Sequence, residues 1–141
     1  MSTSDAPADG PCVFCRIVAH ESPAYTVYED SATMAFLDLF PFTRGHLLIV
    51  PKHHGARLTD LPAASQNALI RTLDLMVRRS ERLTPDYNVA LNAGAAAGQI
   101  IFHVHFHVIP RYGEANPFHS SVRTRLSEAE AHSVVADLSG P

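Results

Sequence analysis

The chain contains 141 residues, of which 46% are hydrophobic and 18% charged, and its formal net charge at pH 7 is -3. This balance favours one globular domain over a disordered chain. The sequence has no basic segment interleaved with aromatic residues and no apolar run near the roughly 20 residues of a membrane helix. It therefore argues against a general nucleic-acid surface and against a membrane span. Because residues 1–11 lack the regions of a signal peptide, we expect a disordered leader there and a single cytoplasmic domain over 12–141.

The predicted elements are short strands and three helices. In chain order they are a helix over 12–19, strands over 25–28, 33–39 and 45–52, a helix from 60 to about 83, strands over 87–91 and 100–109, and a helix over 127–138. The long helix is predicted from an apolar stripe that includes Leu69, Leu73 and Met76. The last helix begins with Ser127 and Glu130 at the spacing of a capping box. Five strands interrupted by one long helix predict an α+β domain with a largely antiparallel sheet.

Three histidines, His103, His105 and His107, alternate with apolar residues in the predicted strand over 100–109. Residues two apart in a strand share one face, so we expect three imidazoles on one face and apolar side chains on the other. Ligands spread along one straight strand would span about 13 Å, which is too far for one metal ion with bonds near 2.1 Å. The three histidines are therefore predicted to have different roles. A solvent-facing strand would not explain the repeated imidazole.

The segment FHVHFHVIPR resembles the signature of the histidine triad (HIT) family of nucleotide hydrolases and transferases. Further matching segments follow the family order, namely CVFCRIV, YED, AFLDL, GHLLIVPKHH and LNAGAAAGQ. The similarity extends from about Cys12 to Tyr112 and is greatest to the bacterial-type branch that carries the C-x-x-C pair. It implies a HIT-like α+β protomer that forms an intertwined homodimer and binds a purine nucleotide against the histidines.

The resemblance assigns the nucleophile to His105, through a covalent nucleotidyl-histidine intermediate that water then hydrolyses. It assigns a phosphate contact to His107. Histidine suits nucleophilic attack because its reference pKa of about 6.5 leaves it neutral near pH 7 without special activation. We expect a backbone carbonyl to hold the other ring nitrogen of His105 and so to determine its tautomer.

Cys12 and Cys15 are spaced as C-x-x-C, which is the first half of many zinc sites. The resemblance supplies the other two ligands as His54, from the pattern P-K-x-H, and His103, from the triad. With all four positions filled, zinc would have a structural role and would not generate hydroxide. Two thiols without a metal, and a redox dithiol, are the alternatives.

By resemblance, an apolar slot for the base is formed by Phe14, Ile17 and Phe36, with Val13 and Leu39 beside it. The alternative for these side chains is ordinary core packing, especially for Ile17. An apolar slot and a small number of polar groups are typical of a nucleotide pocket.

Two polar residues, Asp38 and His46, have separate expected roles near this slot. Asp38 lies among apolar neighbours, and by resemblance its carboxylate accepts hydrogen bonds from the ribose hydroxyls. The alternative is a turn residue at the end of a strand. His46 matches another recurrent family position and is expected to support the reacting histidines without reacting itself.

The loop over 92–98 contains mainly glycine and alanine, which would let a phosphate approach the backbone. Asn92 and Gln99 are expected to donate amide hydrogens to that phosphate, beside Gly98. Family members commonly carry serine or threonine after the Gly-Gln pair, where this chain has Ile100. One donor near the phosphate is therefore missing, which puts the preferred leaving group in doubt.

The leading prediction is a purine nucleotide hydrolase or nucleotidyl transferase that acts at the α-phosphorus, with phosphoramidates or dinucleoside polyphosphates as substrates. A nucleotide-binding regulatory module with vestigial catalysis is the second reading, which Ile100 supports and the intact triad opposes. A transferase or phosphorylase that passes the nucleotide to phosphate or a sugar phosphate stays open, as does a zinc-stabilised interaction protein.

Overall fold

The computed structural model describes residues 12–116, 118 and 123–141, so the predicted leader over 1–11 lies outside the described residues. The helices are α1 (Val13–Val18), α2 (Ala63–Ser80) and α3 (Glu128–Leu138), and the strands are β1 (Thr26–Glu29), β2 (Thr33–Leu37), β3 (Leu47–Pro51), β4 (Asp86–Leu91) and β5 (Phe106–Arg111). Neighbouring strands are all antiparallel, in the order β1-β2-β3-β5-β4. The α+β class and the five-stranded antiparallel sheet are confirmed.

The central strands β2 and β3 are buried along their whole length. Their residues alternate between two cores, as expected for a sheet covered on both faces. Leu47 and Ile49 of β3 pack in the core that includes residues of α2 and α3, whereas Leu48 and Val50 pack in the core that includes Phe14 of α1. Because both faces of the sheet are covered, the sequence of β3 is one continuous run of apolar residues.

Helix α2 buries one stripe along its length, as the apolar period predicts. Leu69, Thr72, Met76 and Ser80 are buried, and Leu73 is partly buried against the same core. The helix is shorter than the predicted span, because a 3-10 turn over Leu58–Asp60 precedes it and the regular helix ends at Ser80. No helix in the described part of the chain is both long enough and apolar enough to cross a membrane.

The predicted histidine strand over 100–109 is wrong in its first half, because β5 begins only at Phe106. In the antiparallel register, Ile49 of β3 faces Phe106, so the pair two positions further along would be Pro51 and Val104. Proline has no N–H to donate, and β3 ends at this residue. The N–H of Val104 donates instead to the carbonyl of Gly55 at 2.7 Å. His103 and His105 therefore precede the strand, and only His107 lies in it.

Helix α3 begins at the predicted cap. The hydroxyl of Ser127 accepts a hydrogen bond from the N–H of Glu130 at 3.2 Å, which satisfies one of the free donors of the first turn. Ala131, Val134 and Leu138 then face the core that α3 shares with α2. The helix thereby closes the sheet face opposite α1.

Candidate nucleotide site and metal cluster

A cavity of about 620 Å³ opens between α1, the end of β2 and the segments before β5. Its apolar lining includes Val13, Phe14, Ile17, Phe36, Leu39 and Ile100. Its polar lining includes Asp38, Asn92, Gly98, His105 and His107. Every residue that was predicted to form the base slot or to contact the ribose therefore lines one cavity.

The base slot is built by α1 and β2, whose side chains meet at its inner end. The rings of Phe14 and Phe36 pack edge to face with centroids 5.4 Å apart, and Phe14 packs in the same way on His105 at 5.1 Å. Phe14, Ile17 and Phe36 are also buried in the core on this side of the sheet. Core packing and pocket lining are thus combined in the same side chains, and the slot ends directly at His105.

Asp38 forms a turn and also lines the cavity. One oxygen of its carboxylate accepts the N–H of Phe40 at 2.8 Å, which forms a turn at the end of β2. The other oxygen lies 3.6 Å from Nε2 of His46 and is available to the cavity. Burial raises the pKa of the Asp38 carboxyl, and the Phe40 N–H partly opposes that rise.

His105 has the tautomer that nucleophilic attack requires. Its Nδ1 lies 2.8 Å from the carbonyl oxygen of His103. A carbonyl only accepts, so Nδ1 carries the proton and Nε2 keeps its lone pair. Burial lowers the pKa of His105, which keeps the imidazole neutral at pH 7. The backbone carbonyl expected from the sequence is therefore present.

A separate series of hydrogen bonds determines the proton positions on His46 and His107. The N–H of Phe42 donates to Nδ1 of His46 at 3.1 Å, so His46 carries its proton on Nε2. That Nε2–H donates to Nδ1 of His107 at 2.9 Å. His107 therefore holds its own proton on Nε2, as a donor to the cavity that it lines. Although Asp38 is close enough to complete a metal site with these two histidines, both nitrogens of His46 are already bonded.

Burial keeps His46 and His107 uncharged at pH 7. The pKa of His46 falls to about 2, mainly through burial and then through the neighbouring charges of His107 and Arg123. The pKa of His107 falls to about 4, again mainly through burial and then through His105. His46 thus holds the donor tautomer of His107 in place, in agreement with a supporting role.

The buried neutral His46 predicts an acid-sensitive fold. The unfolded state binds a proton at this residue below about pH 6.5, whereas the folded state does not until about pH 2, so stability falls as the pH is lowered. Between pH 7 and pH 4.5 we expect His46 to account for a loss of about 2–3 kcal/mol in the free energy of unfolding. Urea titrations of wild type and His46→Gln should show a flatter pH dependence for the variant. Parallel pH dependences would contradict the prediction, because the other histidines are common to both proteins.

A separate cluster brings together Cys12, Cys15, His54 and His103, whose ligand atoms all lie within 4.8 Å of one another. Nδ1 of His103 is 3.5 Å from each sulfur, and Nδ1 of His54 is 3.2 Å from the sulfur of Cys15 and 3.2 Å from Nδ1 of His103. Tetrahedral zinc with these ligands requires separations of about 3.3–3.8 Å. The four ligand positions therefore fit the ion.

The proton on His103 supports the same assignment. Its Nε2 donates to the carbonyl of Pro51 at 2.8 Å, which leaves the lone pair of Nδ1 facing the cysteines. A reactive dithiol requires a lowered thiol pKa. Burial and the hydrogen bond with Cys12 instead raise the pKa of the Cys15 thiol to about 11. The surroundings of Cys15 therefore give no support to a redox dithiol.

Gln99 does not have the role that the sequence predicted. It is buried, and its amide nitrogen donates to the carbonyls of Ala56 and Ile101 at 2.8 and 3.1 Å. Its amide oxygen accepts the N–H of Gly94 at 2.8 Å. Both amide hydrogens are used, so Gln99 holds the loop in place and does not donate to a phosphate. The remaining amide of the expected pair, on Asn92, does line the cavity.

The rim of the cavity includes Gly98 and Ile100. Gly98 has a φ of +91°, a conformation that favours glycine, and it turns the chain beside Asn92. Ile100 follows with 82% of its surface exposed. The side chain at this place on the rim is therefore apolar and exposed, and it offers no hydroxyl to the cavity.

Phe42 and Arg123 are among the lining residues that the sequence did not predict. The ring of Phe42 stacks on His46 with centroids 5.5 Å apart, and the guanidinium carbon of Arg123 lies 4.1 Å from the Phe42 centroid. Arg123 follows all the family-like segments, and nothing in its local sequence indicates a pocket. Only the course of the tail brings it to the histidines.

Comparison with known proteins places this geometry in a family. A model of the HIT domain matches residues 19–114. The adenosine 5'-monophosphoramidase HNT1 of Candida albicans is 39% identical over 110 residues, which cover 74% of this chain and 72% of the relative. The adenylylsulfatase HINT3 of Arabidopsis thaliana is 41% identical over 102 residues, which cover 71% of this chain and 52% of the relative.

A solved structure with the same fold is described as zinc-bound. The crystal structure of a zinc-bound histidine triad family protein from Mycobacterium smegmatis has a TM-score of 0.73 and 38% identity, and the match covers 90% of this chain and 92% of that one. The four-ligand cluster of this chain is consistent with zinc. The family and its relatives support nucleotide hydrolase activity in general terms. Because the family match extends over more than half of the chain, the protein belongs to the HIT family.

Proposed function

We propose that the protein hydrolyses purine nucleotides at the α-phosphorus through a nucleotidyl intermediate on His105. The observation that carries the proposal is the orientation of His105. Its Nδ1–H is held by a backbone carbonyl, its Nε2 lone pair is free, and the imidazole lines the cavity at the inner end of an apolar slot. This arrangement favours attack on a phosphorus whose base occupies the slot.

The proposed reaction has two steps, which use groups of this chain and solvent. Nε2 of His105 forms a bond to the α-phosphorus, while the bond to the leaving group breaks and its electron pair leaves with that group, which takes a proton from solvent. The Nδ1–H bond to the His103 carbonyl then stabilises the positive imidazole. In the second step the oxygen of water forms a bond to the phosphorus and a proton of that water passes to solvent, while the bond between phosphorus and Nε2 breaks and its electron pair returns to Nε2, which releases the nucleoside monophosphate and restores His105. The Nε2–H of His107 donates to a non-bridging oxygen in both steps.

Relatives with different leaving groups support the general reaction and leave the substrate open. One relative is named for a phosphoramidate and the other for an adenylyl sulfate. We therefore propose a phosphoramidase or dinucleoside polyphosphate hydrolase, with adenine or guanine in the slot. Transfer of the nucleotide to phosphate or a sugar phosphate would use the same intermediate.

The proposal is tested with a substrate panel. Purified protein is incubated with adenosine and guanosine phosphoramidates, diadenosine polyphosphates and adenylyl sulfate, with and without inorganic phosphate, and the nucleotide products are separated. Release of the nucleoside monophosphate from at least one substrate is expected. Binding of AMP without cleavage of any substrate would favour a regulatory module instead, for which the exposed Ile100 at the rim is the supporting observation. A nucleoside diphosphate formed only with added phosphate would indicate a phosphorylase.

We propose that Cys12, Cys15, His54 and His103 hold one structural zinc ion. The ion would join α1 to the loop after β3 and to the segment before β5, because its ligands come from these three parts of the chain. All four positions are protein ligands, so the ion would hold the histidine segment in place without taking part in the reaction.

We also propose a homodimer, because the sheet ends in an exposed edge. β4 is an edge strand with no partner on its outer side among the described residues, and Val89 of β4 is 43% exposed. The chain has a mass of 15.4 kDa, so sedimentation at micromolar concentration should give a species of about twice that mass. Val89→Lys should shift the protein toward the monomer, whereas Ala136→Lys on the exposed face of α3 should not. A wild-type monomer would refute the dimer.

A further inference from the structure

Arg123 is the only lysine or arginine among the described residues that line the nucleotide cavity. The histidines of the cavity have lowered pKa values through burial and are neutral at pH 7, while Asp38 is a carboxylate. A nucleotide with two or more phosphates brings several negative charges into this space. Without Arg123, the cavity would offer no permanent positive charge to balance them.

The contacts of Arg123 place it at the opposite end of the histidine row from the base slot. Phe14 of the slot contacts His105 at 5.1 Å. At the other end, Arg123 lies over Phe42, which stacks on His46, and His46 bonds to His107. Phe42 and Arg123 line the same cavity as His105, so they lie within the space open to the groups of a substrate whose base contacts Phe14 and whose α-phosphorus meets His105.

Beyond this point lies a second cavity of about 570 Å³, which shares Phe42 and Arg123 with the first. It is also lined by Arg44 and Arg125 and by the carboxylates of Glu114 and Glu130. Arg44 is neutralised by Asp137 at 3.1 Å, whereas none of the ion pairs found in the described part of the chain includes Arg123. Arg123, which lines both cavities, therefore makes no ion pair with a described carboxylate, and its charge acts on Asp38 only by helping to oppose the rise in the pKa of that carboxyl.

We infer that Arg123 is a specificity-determining residue that binds the phosphate or sulfate group next to the scissile bond, so that the enzyme prefers nucleotides with anionic leaving groups to phosphoramidates. The inference rests on the proposed function in taking the first cavity as the nucleotide site. A guanidinium offers two parallel N–H donors to a phosphate or sulfate and keeps its charge at every working pH. The second cavity then provides room for the rest of a dinucleoside polyphosphate.

Equilibrium binding tests the inference without relying on turnover. AMP and α,β-methylene-ADP, whose bridging carbon prevents cleavage at the α-phosphorus, are titrated into the full chain by calorimetry. Wild type should bind the diphosphate analogue about 10- to 100-fold more tightly than AMP, which is the usual range for a hydrogen-bonded charge. Arg123→Gln should reduce that ratio at least about tenfold, with Arg123→Lys between the two. Arg71→Gln removes the same charge from an exposed position of α2 and should keep the wild-type ratio.

Each outcome supports or overturns the role of Arg123. An unchanged ratio in Arg123→Gln, an equal loss of affinity for both ligands, or a wild type without preference would overturn it. Thermal melting identifies a variant that fails to fold, in which case Arg123→Lys alone should still show a reduced ratio. Hydrolysis of the substrate panel is measured on the same preparations. Absence of cleavage with the expected binding ratios would reject the proposed hydrolase and leave the binding role of Arg123 intact.

Discussion

His105→Ala is expected to lower kcat for every cleaved nucleotide by at least about 10³-fold, as other deletions of a nucleophile do. The variant lacks the nitrogen that attacks the phosphorus, and no other imidazole of the cavity can replace it. Nε2 of His46 is bonded to His107, and Nε2 of His107 carries a proton and has no lone pair to offer. Nucleotide affinity should change far less, because the apolar slot, Asp38 and Asn92 still line the cavity.

The covalent intermediate gives a direct measurement. Wild type quenched rapidly at neutral pH during turnover should show a nucleotidyl adduct by intact mass, and peptide mapping should place it on His105. His107→Ala should slow the reaction less, since it removes a phosphate donor and leaves the attacking nitrogen. His132→Ala, at an exposed position of α3, is the matched histidine control. Near wild-type turnover by His105→Ala, or an adduct on another residue, would disprove the mechanism.

Loss of the zinc cluster should destabilise the fold more than it slows catalysis by the folded protein. Protein never exposed to a chelator should contain about one zinc per chain, and Cys15→Ala should lower the free energy of unfolding by about 3 kcal/mol or more. The large effect is expected because the ligands join α1, the loop after β3 and the segment that carries His103. Chelation of wild type should lower its stability to a similar extent.

The control for this prediction is the neighbouring histidine. His53 is exposed next to the ligand His54 and does not belong to the cluster, so His53→Ala should retain both zinc and stability. Zinc content is measured by elemental analysis and stability by denaturant titration. Metal-free wild type, or a Cys15→Ala variant as stable as wild type, would contradict the structural zinc.

The repeating patterns of the sequence were sufficient to predict the sheet and its helices. The apolar runs of β2 and β3, the stripe of α2 and the cap at Ser127 each depend on residues close together in the chain. Such patterns report which face of an element is buried, and they do not report which neighbour covers it. The strand predicted over 100–109 was wrong in part for this reason. The early end of β3 at Pro51 leaves Val104 without a strand partner, and register is not visible locally.

The site could be predicted to the extent that it follows the family motif. The residues predicted for the base slot, the ribose contact, the nucleophile and the metal were all named from the sequence. The structure brings them together in one cavity and one four-residue cluster, and their roles stay predictions. The role of the Gln99 amide was predicted wrongly because the sequence does not show its hydrogen-bond partners. Ala56 is distant from it in the sequence, and Gly94 contacts it only because of the way the loop folds. The leader, the cytoplasmic location and the homodimer stay predictions.

By itself, therefore, the sequence determined the α+β class and the order of the elements, and it named the side chains that are predicted to react and to bind a metal. Apart from the carbonyl expected beside His105, only the tertiary structure decided how these side chains are protonated and which charge lies near them. The carbonyl of Pro51 orients His103 from 52 residues away, and Arg123 reaches Phe42 through the course of the tail. The physical reason is that a tautomer or a counter-charge depends on atoms within about 3–6 Å in space, whereas a sequence pattern reports only neighbours along the chain.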